Sequence, residues 1–390
     1  MKKVLNLTTV LLLVFSLVLL AACGGSGSSA PSSQAADSSS PASAGGDAEA
    51  PDEGDGEGTG AGVGKRIALI TTIGGLGDGA IGDACYHGIL AAQEVLGFEM
   101  DYSEPMSAPD YESLIIEYAE SGDYDLIFLA GNDGLDPVNA VGGDYPDQKF
   151  VVYDISADGN EQYVSEFFAK NEIGFMAGVF AALLEEQGEV TIAGETTTFE
   201  TTGKIGLMIG NEVPSTVNAL TGAAAGIHYI NPDYEYLYGI VGDWKDQAKN
   251  KELALSIYDQ GAHFIFQNAG GGALGIIAAA QERGQFFIGY DTDQTEWAPE
   301  LVVGSSRKAN DATILRVLET FCTTGQLPWG VAEENNASNG GIMFTYNPDL
   351  EVSSEMQAIM DQVFDDLKTG KITSPNTWEE VEAFTDVLER

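Results

Sequence analysis

The stretch that decides the fold is Lys65-Arg66-Ile67-Ala68-Leu69-Ile70-Thr71-Thr72. Its short, almost continuous apolar run predicts a strand buried on both faces, as in a parallel sheet covered by helices. Glycine-rich residues follow, and a helical pattern begins near Asp78. Further apolar runs, separated by helical patterns, recur at residues 98–102, 125–130 and 150–153. This alternation of strands and helices predicts a parallel α/β sheet.

The same rhythm restarts in the second half of the chain. A helical pattern over about residues 172–186 leads to a strand-like run at residues 205–209. Later apolar runs, again separated by helical patterns, cover residues 235–241, 263–266 and 286–290. Two successive halves of similar order predict two doubly wound lobes. Ligands of such sheets bind outside the carboxyl ends of the strands, so two facing lobes would enclose a ligand cleft.

The N-terminal residues predict an export signal, residues 1–22, rather than part of the fold. Lys2 and Lys3 precede an apolar run, residues 10–20, which is shorter than the about 20 residues of a membrane span. The stretch Leu20-Ala21-Ala22-Cys23 then resembles a bacterial lipobox, which implies that Cys23 is acylated and becomes the mature N-terminus. The alternative is an ordinary signal peptide followed by an incidental cysteine.

Residues 23–64 are predicted to be a disordered tether. They consist almost entirely of Gly, Ser, Ala, Pro, Asp and Glu, and Val63 is their one large apolar side chain. Such a stretch buries too little surface to offset its ordering entropy. The remaining residues, 65–390, are enough to form two lobes with full cores.

The charge balance disfavours several classes of partner. The chain has 17 basic residues against 60 acidic ones, whereas binding to nucleic-acid phosphates requires Lys and Arg. The same balance disfavours adsorption to an anionic bilayer, so membrane attachment is expected to come from the lipid on Cys23. A high acidic charge also predicts a soluble monomer.

Two local features receive structural predictions without a function. Cys85 and Cys322 are predicted to be buried thiols, with a disulfide between them as the alternative. The insertion at residues 187–204 has β-branched residues around Gly194, which predict a small surface hairpin.

One motif favours a competing function. Gly77-Asp78-Gly79-Ala80-Ile81-Gly82 is a literal G-x-G-x-x-G after a strand and at the start of a helix, and Asp101 ends the next strand. Alone, this pattern is typical of an NAD-binding dehydrogenase. Against that function, the chain has 48 glycines, which raises the chance of an accidental match. An exported, tethered protein also rarely carries a soluble nicotinamide cofactor.

The sequence has no other catalytic or metal-binding pattern. It contains no G-x-S-x-G elbow, no phosphate-binding G-x-x-x-x-G-K-[ST] loop and no H-E-x-x-H motif. Its histidines, His87, His228 and His263, lack the spacing of metal ligands. We therefore expect no enzymatic activity, no cofactor and no resident metal.

Polar and aromatic residues recur just past the predicted strand ends. Asp154 follows the run at residues 150–153, and Trp244 follows the run at residues 235–241. In the same way, Asn268 opens a glycine-rich turn, and Asp291 follows the run that ends at residue 290. A turn or cap role is the alternative for each residue. Their recurrence in both halves favours a binding cleft over a reaction centre.

These segments resemble the basic membrane protein family of ABC-transporter binding lipoproteins, whose best-known members bind purine nucleosides. The likeness extends from about Lys65 to Asn347 and is carried by the following stretches: Gly174-Phe175-Met176-Ala177-Gly178, Gly203-Lys204-Ile205-Gly206, Val241-Gly242-Asp243-Trp244, Gln260-Gly261-Ala262-His263-Phe264-Ile265-Phe266-Gln267 and Ile288-Gly289-Tyr290-Asp291-Thr292-Asp293-Gln294. The resemblance implies a type I periplasmic-binding-protein fold with three crossings between the lobes. The expected N-lobe is about residues 65–168 plus 294–325, and the C-lobe about residues 169–293 plus 326–390.

The resemblance also implies ligand contacts. Trp244 stands where the family usually has a phenylalanine that stacks on the base, and an indole stacks at least as well. Asp291 matches an aspartate that accepts hydrogen bonds from ribose hydroxyls. Lys308 falls near a ribose-contacting lysine, with Arg307 as the alternative alignment.

The remaining matches include departures from the family pattern. Asp154 matches a base-contacting aspartate, and Gly271 matches a glycine whose backbone closely approaches the ligand. In the first loop, Asp78 aligns with an aspartate and is predicted to bind ligand. Ile81, however, replaces a second stacking phenylalanine, and Thr72 replaces an aspartate before the loop. Both are expected to line the cleft, with fewer polar contacts to the base.

The sequence therefore predicts an extracytoplasmic binding lipoprotein, anchored to the cell membrane through Cys23. We expect it to capture a purine nucleoside or a related small molecule for an ABC importer, with the permease and ATPase subunits as partners. The alternatives are the same fold binding a sugar or a signalling ligand, or a surface sensor.

Overall fold

The computed structural model describes residues 60–73, 75–77 and 79–389. The predicted signal peptide, Cys23, the tether up to residue 59 and the predicted ligand residue Asp78 lie outside the described residues. Within the described ranges, no helix combines the length and the apolar character needed to cross a lipid bilayer.

Strands and helices alternate along the described chain, as the apolar runs predict. The strands are β1 (Arg66–Ile70), β2 (Glu99–Ser103), β3 (Leu126–Ala130), β4 (Phe150–Tyr153), β5 (Tyr163–Phe168), β6 (Glu189–Ile192), β7 (Glu195–Thr198), β8 (Lys204–Ile209), β9 (Glu235–Ile240), β10 (Phe264–Asn268), β11 (Phe286–Asp291), β12 (Val302–Lys308), β13 (Ala332–Asn335) and β14 (Ile342–Tyr346). The helices are α1 (Ile81–Leu96), α2 (Ala108–Ser121), α3 (Leu135–Val141), α4 (Lys170–Gln187), α5 (Pro214–Ile230), α6 (Gln247–Asp259), α7 (Ala273–Arg283), α8 (Asn310–Thr324), α9 (Ser354–Lys368) and α10 (Trp378–Ala383).

The main strands form two separate sheets, one in each lobe. The N-lobe sheet has the order β13-β5-β4-β3-β1-β2, and all its strand pairs are parallel. The C-lobe sheet has the order β14-β12-β11-β10-β8-β9, and its edge strand β14 runs antiparallel to β12. The central strands are apolar and buried because helices cover both faces of each sheet. This arrangement is the predicted α/β architecture of two doubly wound lobes.

The expected lobe boundaries are wrong in the second half of the chain. We expected residues 294–325 in the N-lobe, but β12 pairs with β11, so residues 302–308 belong to the C-lobe sheet. We expected residues from 326 onward in the C-lobe, but β13 pairs with β5 in the N-lobe sheet. The segment that returns to the N-lobe is therefore α8 with β13. Backbone pairing decides this: β12 pairs with the strand directly before it, whereas β13 pairs with the distant strand β5, and no local pattern marks where the chain crosses.

Helices α4 and α5 pack at unusually close range inside the C-lobe. A Cβ atom added to Gly174 would overlap the backbone carbonyl of Ala219, and one added to Gly178 would overlap that of Ala223. Glycine is therefore required at both positions for the two backbones to approach each other. This contact fixes the axis of α4, whose first residue, Lys170, lies between the lobes.

The insertion forms the predicted hairpin. Strands β6 and β7 pair in antiparallel fashion, and the turn residues Ala193 and Gly194 both have positive φ angles of 51° and 80°. The hairpin is joined to the C-lobe through a bridge between Ile192 and Leu350. Cys85 and Cys322 are both buried thiols, as predicted.

The end of the predicted tether is ordered, which corrects its expected boundary at residue 64. Residues 60–64 form turns, and the Gly62 N–H donates a 2.8 Å hydrogen bond to the carbonyl oxygen of Leu96. Val63 is the one large apolar side chain among these residues and is exposed, so their backbone supplies the contact. A composition rule based on side-chain burial does not detect it.

Candidate functional site

A cavity of about 710 Å³ lies between the lobes, at the carboxyl ends of strands from both sheets. This is where doubly wound sheets bind ligands. The structure brings every described residue of the predicted site together in its lining: Thr72, Ile81, Asp154, Trp244, Gly271, Asp291 and Lys308. Placement in one cavity is necessary for the predicted contacts, and the binding roles themselves remain predictions.

Asp154 and Asp291 occupy corresponding places in the two lobes. Asp154 follows β4 directly, and Asp291 is the last residue of β11. Both have left-handed backbone conformations, with φ angles of 71° and 66°. Among the described non-glycine residues, the third with positive φ is Ala193 in the hairpin turn. Such conformations cost about 1–3 kcal/mol and persist where the surrounding structure enforces them, frequently at ligand sites.

Two buried lysines contact these carboxylates, and one of them, Lys308, bridges the two. Lys308 Nζ lies 2.9 Å from Asp154 Oδ2 and 2.6 Å from Asp291 Oδ1. The contact with Asp291 lies outside hydrogen-bond geometry and is an ion pair. Lys170 Nζ lies 3.0 Å from the same Asp154 Oδ2. Two ammonium groups and two carboxylates balance each other, which makes their burial tolerable.

The charges shift the ionisation of this cluster. Burial raises the pKa of Asp154, but the positive charges of Lys170 and Lys308 outweigh burial and lower that pKa below its ordinary value. Burial lowers the pKa of Lys308, whereas the charges of Asp154 and Asp291 raise it well above its ordinary value. Asp154 and Lys308 therefore stay charged at neutral pH.

Several polar atoms of the cavity lining make no hydrogen bond within the described chain. They are Thr72 Oγ1, Asp154 Oδ1, Tyr290 Oη and Asp291 Oδ1, and all four are buried. An unsatisfied buried polar group costs about 1–3 kcal/mol. Their convergence on one cavity favours a ligand that carries several hydroxyl or amine groups.

Trp244 is positioned on the C-lobe side of the cavity by the turn after β9. The N–H of Gly242 donates to the Gly210 carbonyl at 2.6 Å, and the N–H of Gly272 donates to the Trp244 carbonyl at 2.9 Å. The indole packs against Gly210, where an added Cβ would come within 2.5 Å of the ring. Gly271 lines the cavity beside it. The Trp244 indole thus packs against the backbone at Gly210 and remains only partly buried.

The first loop forms the N-lobe side of the cavity and contributes Leu76, Gly77, Ala80 and Ile81 to its lining. The Asp83 carboxylate accepts hydrogen bonds from the N–H groups of Gly77 and Gly79, both at 2.7 Å. In a dinucleotide site, glycine-loop amides bind the pyrophosphate. Since a carboxylate of the chain accepts from these two amides, the loop geometry does not favour the NAD-binding interpretation.

Sequence reasoning left one alignment open and missed other lining residues. The alternation of β12 directs Lys308 into the cavity, whereas Arg307 donates from Nε to Thr345 Oγ1 at 2.9 Å. Lys170 and Tyr290 also line the cavity, although neither was predicted. The position of Lys170 at the start of α4, directly after an apolar run, is the signal that could have identified it.

The described residues offer no group of three or more His, Cys, Asp or Glu side chains placed to bind a metal ion. His263 lies outside the cavity lining, with Nδ1 2.9 Å from Glu185 Oε2 and its ring stacked on Phe199 at 4.2 Å. These contacts indicate that His263 has a packing role in the C-lobe.

Residues 65–372 match the family described as ABC transporter substrate-binding protein PnrA-like, or Bmp. The chain belongs to this family. The match covers most of the described residues and confirms the resemblance inferred from the sequence. Bmp proteins are substrate-binding proteins of ABC transporters and not enzymes.

Relatives of this Bmp protein include lipoproteins and a nucleoside-binding protein. An uncharacterised lipoprotein of Pyrococcus abyssi is 28% identical over 64% of this chain and 61% of its own length. The chain thus spans less than two thirds of the length of this archaeal relative. The ABC transporter nucleoside-binding protein BmpA of Lactococcus lactis is 24% identical over 80% of this chain and 89% of its own length.

Solved structures confirm the periplasmic-binding-protein-like fold. An ABC transporter solute-binding protein of Aeropyrum pernix superposes with a TM-score of 0.68 at 21% identity, over 82% of this chain and 96% of its own. A solute-binding protein of Conexibacter woesei gives a TM-score of 0.62 at 20% identity, over 80% and 99% of the two chains.

Proposed function

We propose that this Bmp protein is the extracytoplasmic binding component of an ABC importer and that its ligand is a purine nucleoside or a close relative. The observation that carries the proposal is the placement of Trp244, Asp291 and Lys308 around one cavity between the lobes. An aromatic face, a carboxylate and an ammonium group are together suited to a flat ring that bears hydroxyl groups. Membership of the Bmp family and the name of the Lactococcus relative support the same ligand class.

Each side chain has a specific part in the proposed complex. Trp244 stacks on the base, which contributes about 1–3 kcal/mol. Asp291 accepts hydrogen bonds from the ribose hydroxyls, and Lys308 donates to one of them while it forms its ion pair with Asp291. The free Oδ1 of Asp154 accepts from a ligand N–H or O–H group. Charge-assisted bonds of this kind contribute about 1.5–3 kcal/mol each.

The opposite face of the base would contact aliphatic side chains. Leu76 and Ile81 line the cavity on the N-lobe side. These side chains would make apolar contacts with the base, but they cannot stack on it as an aromatic ring would. In the proposed complex, the base therefore lies between one indole and an aliphatic surface. Thr72, directly before this loop, has a buried Oγ1 that makes no hydrogen bond within the described residues.

The proposed partners follow from the family and from the lipobox-like stretch at Cys23. Permease and ATPase subunits of the importer would receive the ligand, and a lipid on Cys23 would attach the chain to the cell membrane. The lipoprotein relatives support this anchor. The tether would separate the binding domain from the bilayer.

A fluorescence titration tests the ligand class. Guanosine, inosine, adenosine, ribose and galactose are titrated separately into the full chain. We expect saturable quenching by the purine nucleosides, because a stacked base changes the surroundings of Trp244. A Trp244→Phe variant that binds without this signal assigns it to Trp244. Saturation by a free sugar, with no response to any nucleoside, would contradict the proposal and favour the sugar-binding alternative.

A further inference from the structure

Lys170 is a buried cation in an unfavourable position. Its side chain is 8% exposed, and it is the first residue of α4, where the helix end carries a positive partial charge. Burial also lowers its pKa, because an ammonium group loses hydration there. A sequence that places lysine here needs a compensating interaction, and the structure supplies one with Asp154.

Lys170 and Lys308 approach the same oxygen of Asp154. Their Nζ atoms lie 3.0 Å and 2.9 Å from Oδ2. The other oxygen, Oδ1, is buried among the cavity residues and makes no hydrogen bond within the described chain. Lys170 follows β5 and Lys308 is the last residue of β12, so both stand where the chain crosses between the lobes. Two donors on one oxygen fix the plane of the carboxylate, so that Oδ1 is the oxygen left to accept from a ligand.

The two lysines differ in what else they contact. Lys308 also forms the 2.6 Å ion pair with Asp291, and its Nζ lies 5.7 Å and 5.5 Å from the ring centroids of Phe168 and Tyr290. The ion pair of Lys170 in the described structure is the one with Asp154. Removing Lys170 would leave the Lys308 contacts in place, so its effect on Asp154 can be isolated.

We propose that Lys170 is a positioning residue that orients Asp154 and keeps its Oδ1 available as a charged acceptor for a hydrogen-bond donor of the ligand. Other titratable groups that face the Lys170–Asp154 pair are Lys308 of β12 and Asp291 and Tyr290 of β11. The identity of the ligand that donates to Oδ1 rests on the proposed function. The effect of Lys170 on Asp154 does not depend on it.

A double-mutant cycle tests the positioning role. Lys170→Met removes the charge and keeps a long side chain, and Lys170→Arg keeps the charge. We expect Lys170→Met to weaken guanosine binding about tenfold, the equivalent of one charge-assisted hydrogen bond, and Lys170→Arg to weaken it less than about threefold. In an Asp154→Asn background, Lys170→Met should change the affinity less than about twofold. An equal loss in both backgrounds would overturn the proposal, because Lys170 would then act without Asp154.

A measurement without ligand separates this proposal from the proposed function. The full chain is labelled with ¹³C at its Asp carboxyl carbons, and the Asp154 signal is assigned by its absence in Asp154→Asn. Because Lys170 helps to lower the pKa of Asp154, Lys170→Met should move the Asp154 titration to higher pH, by about one unit or more. Lys170→Gln is a second uncharged variant if Lys170→Met does not fold. An unchanged titration would refute the positioning role. A shifted titration in a chain that binds no nucleoside would refute the ligand alone.

Discussion

The strand ends and crossings that line the cavity differ in chemistry from the first loop. The C-lobe side and the crossings contribute an indole, a carboxylate and two ammonium groups, from Trp244, Asp291, Lys170 and Lys308. The first loop of the N-lobe contributes aliphatic side chains and glycine backbone, and Asp83 accepts from two of its amides. The strand ends thus provide the polar groups that can recognise a ligand, whereas the first loop provides an apolar wall of the cavity.

This difference has a structural cause. Side chains at strand ends are fixed by sheet pairing, and Asp154 and Asp291 are enforced in a strained backbone conformation. Loop residues have fewer such constraints and tolerate substitution. Under the proposed function, variation in the first loop would therefore change which base is preferred while the contacts to the sugar remain.

The largest effect is expected at Asp291. Asp291→Asn removes the charge but tolerates the left-handed backbone, so the loss reports electrostatics rather than strain. It also leaves Lys308 with one of its two carboxylates. We expect guanosine affinity, measured by calorimetry, to fall roughly 30-fold or more. Asp293→Asn is the matched control, because Asp293 bonds Thr295 outside the cavity lining. Equal losses for guanosine and free guanine would contradict a ribose contact.

Trp244 should have the next largest effect. Trp244→Ala removes the stacking face, and we expect nucleosides and free bases to bind at least about tenfold more weakly. Trp329→Ala is the control, since Trp329 is also partly buried but packs on Phe321 at 6.4 Å, away from the cavity residues. If calorimetry shows unchanged affinity for Trp244→Ala, the indole is not part of the site.

A substitution in the first loop should strengthen binding. Ile81→Phe places a second aromatic ring opposite Trp244, and an aromatic pair adds about 0.5–1.5 kcal/mol. We expect guanosine to bind about two- to tenfold more tightly in a calorimetric titration, with Ile81→Leu close to the unsubstituted chain. Weaker binding by Ile81→Phe would show that Ile81 does not face the base.

The smallest effect on affinity, with a clear effect on stability, is expected at Gly79. Its φ angle is 59°, its carbonyl accepts a 2.8 Å hydrogen bond from Thr292 Oγ1 of the C-lobe, and an added Cβ would overlap the Trp297 ring. Gly79→Ala should lower the free energy of unfolding in urea by about 2 kcal/mol or more.

Gly77→Ala is the matched control for this substitution. Gly77 has a φ angle of 87°, but an added Cβ would meet no atom within 4 Å. Gly77→Ala would suffer the same kind of backbone strain as Gly79→Ala but no collision with a neighbouring side chain. Its free energy of unfolding should therefore fall less than that of Gly79→Ala, by about 1 kcal/mol or more. Equal losses for the two variants would mean that the contact between Gly79 and Trp297 contributes nothing.

The sequence predicts the architecture because apolar runs and the polar residues after them are local signals. It does not predict which sheet β12 and β13 join, because no local pattern marks where the chain crosses between the lobes and the partner of β13 is the distant strand β5. The position of Lys170 at the start of α4 is a local signal, but its role is not. Its meaning depends on Asp154, which lies in the other lobe and becomes its neighbour only when the chain folds.

The most direct test of the central claim is a crystal structure of the chain with guanosine in the cavity. We predict that the base stacks on Trp244 at about 3.5–4 Å and that the ribose hydroxyls lie within hydrogen-bond distance of Asp291 and Lys308. A guanosine bound elsewhere, or one whose ribose points away from Asp291, would contradict the account.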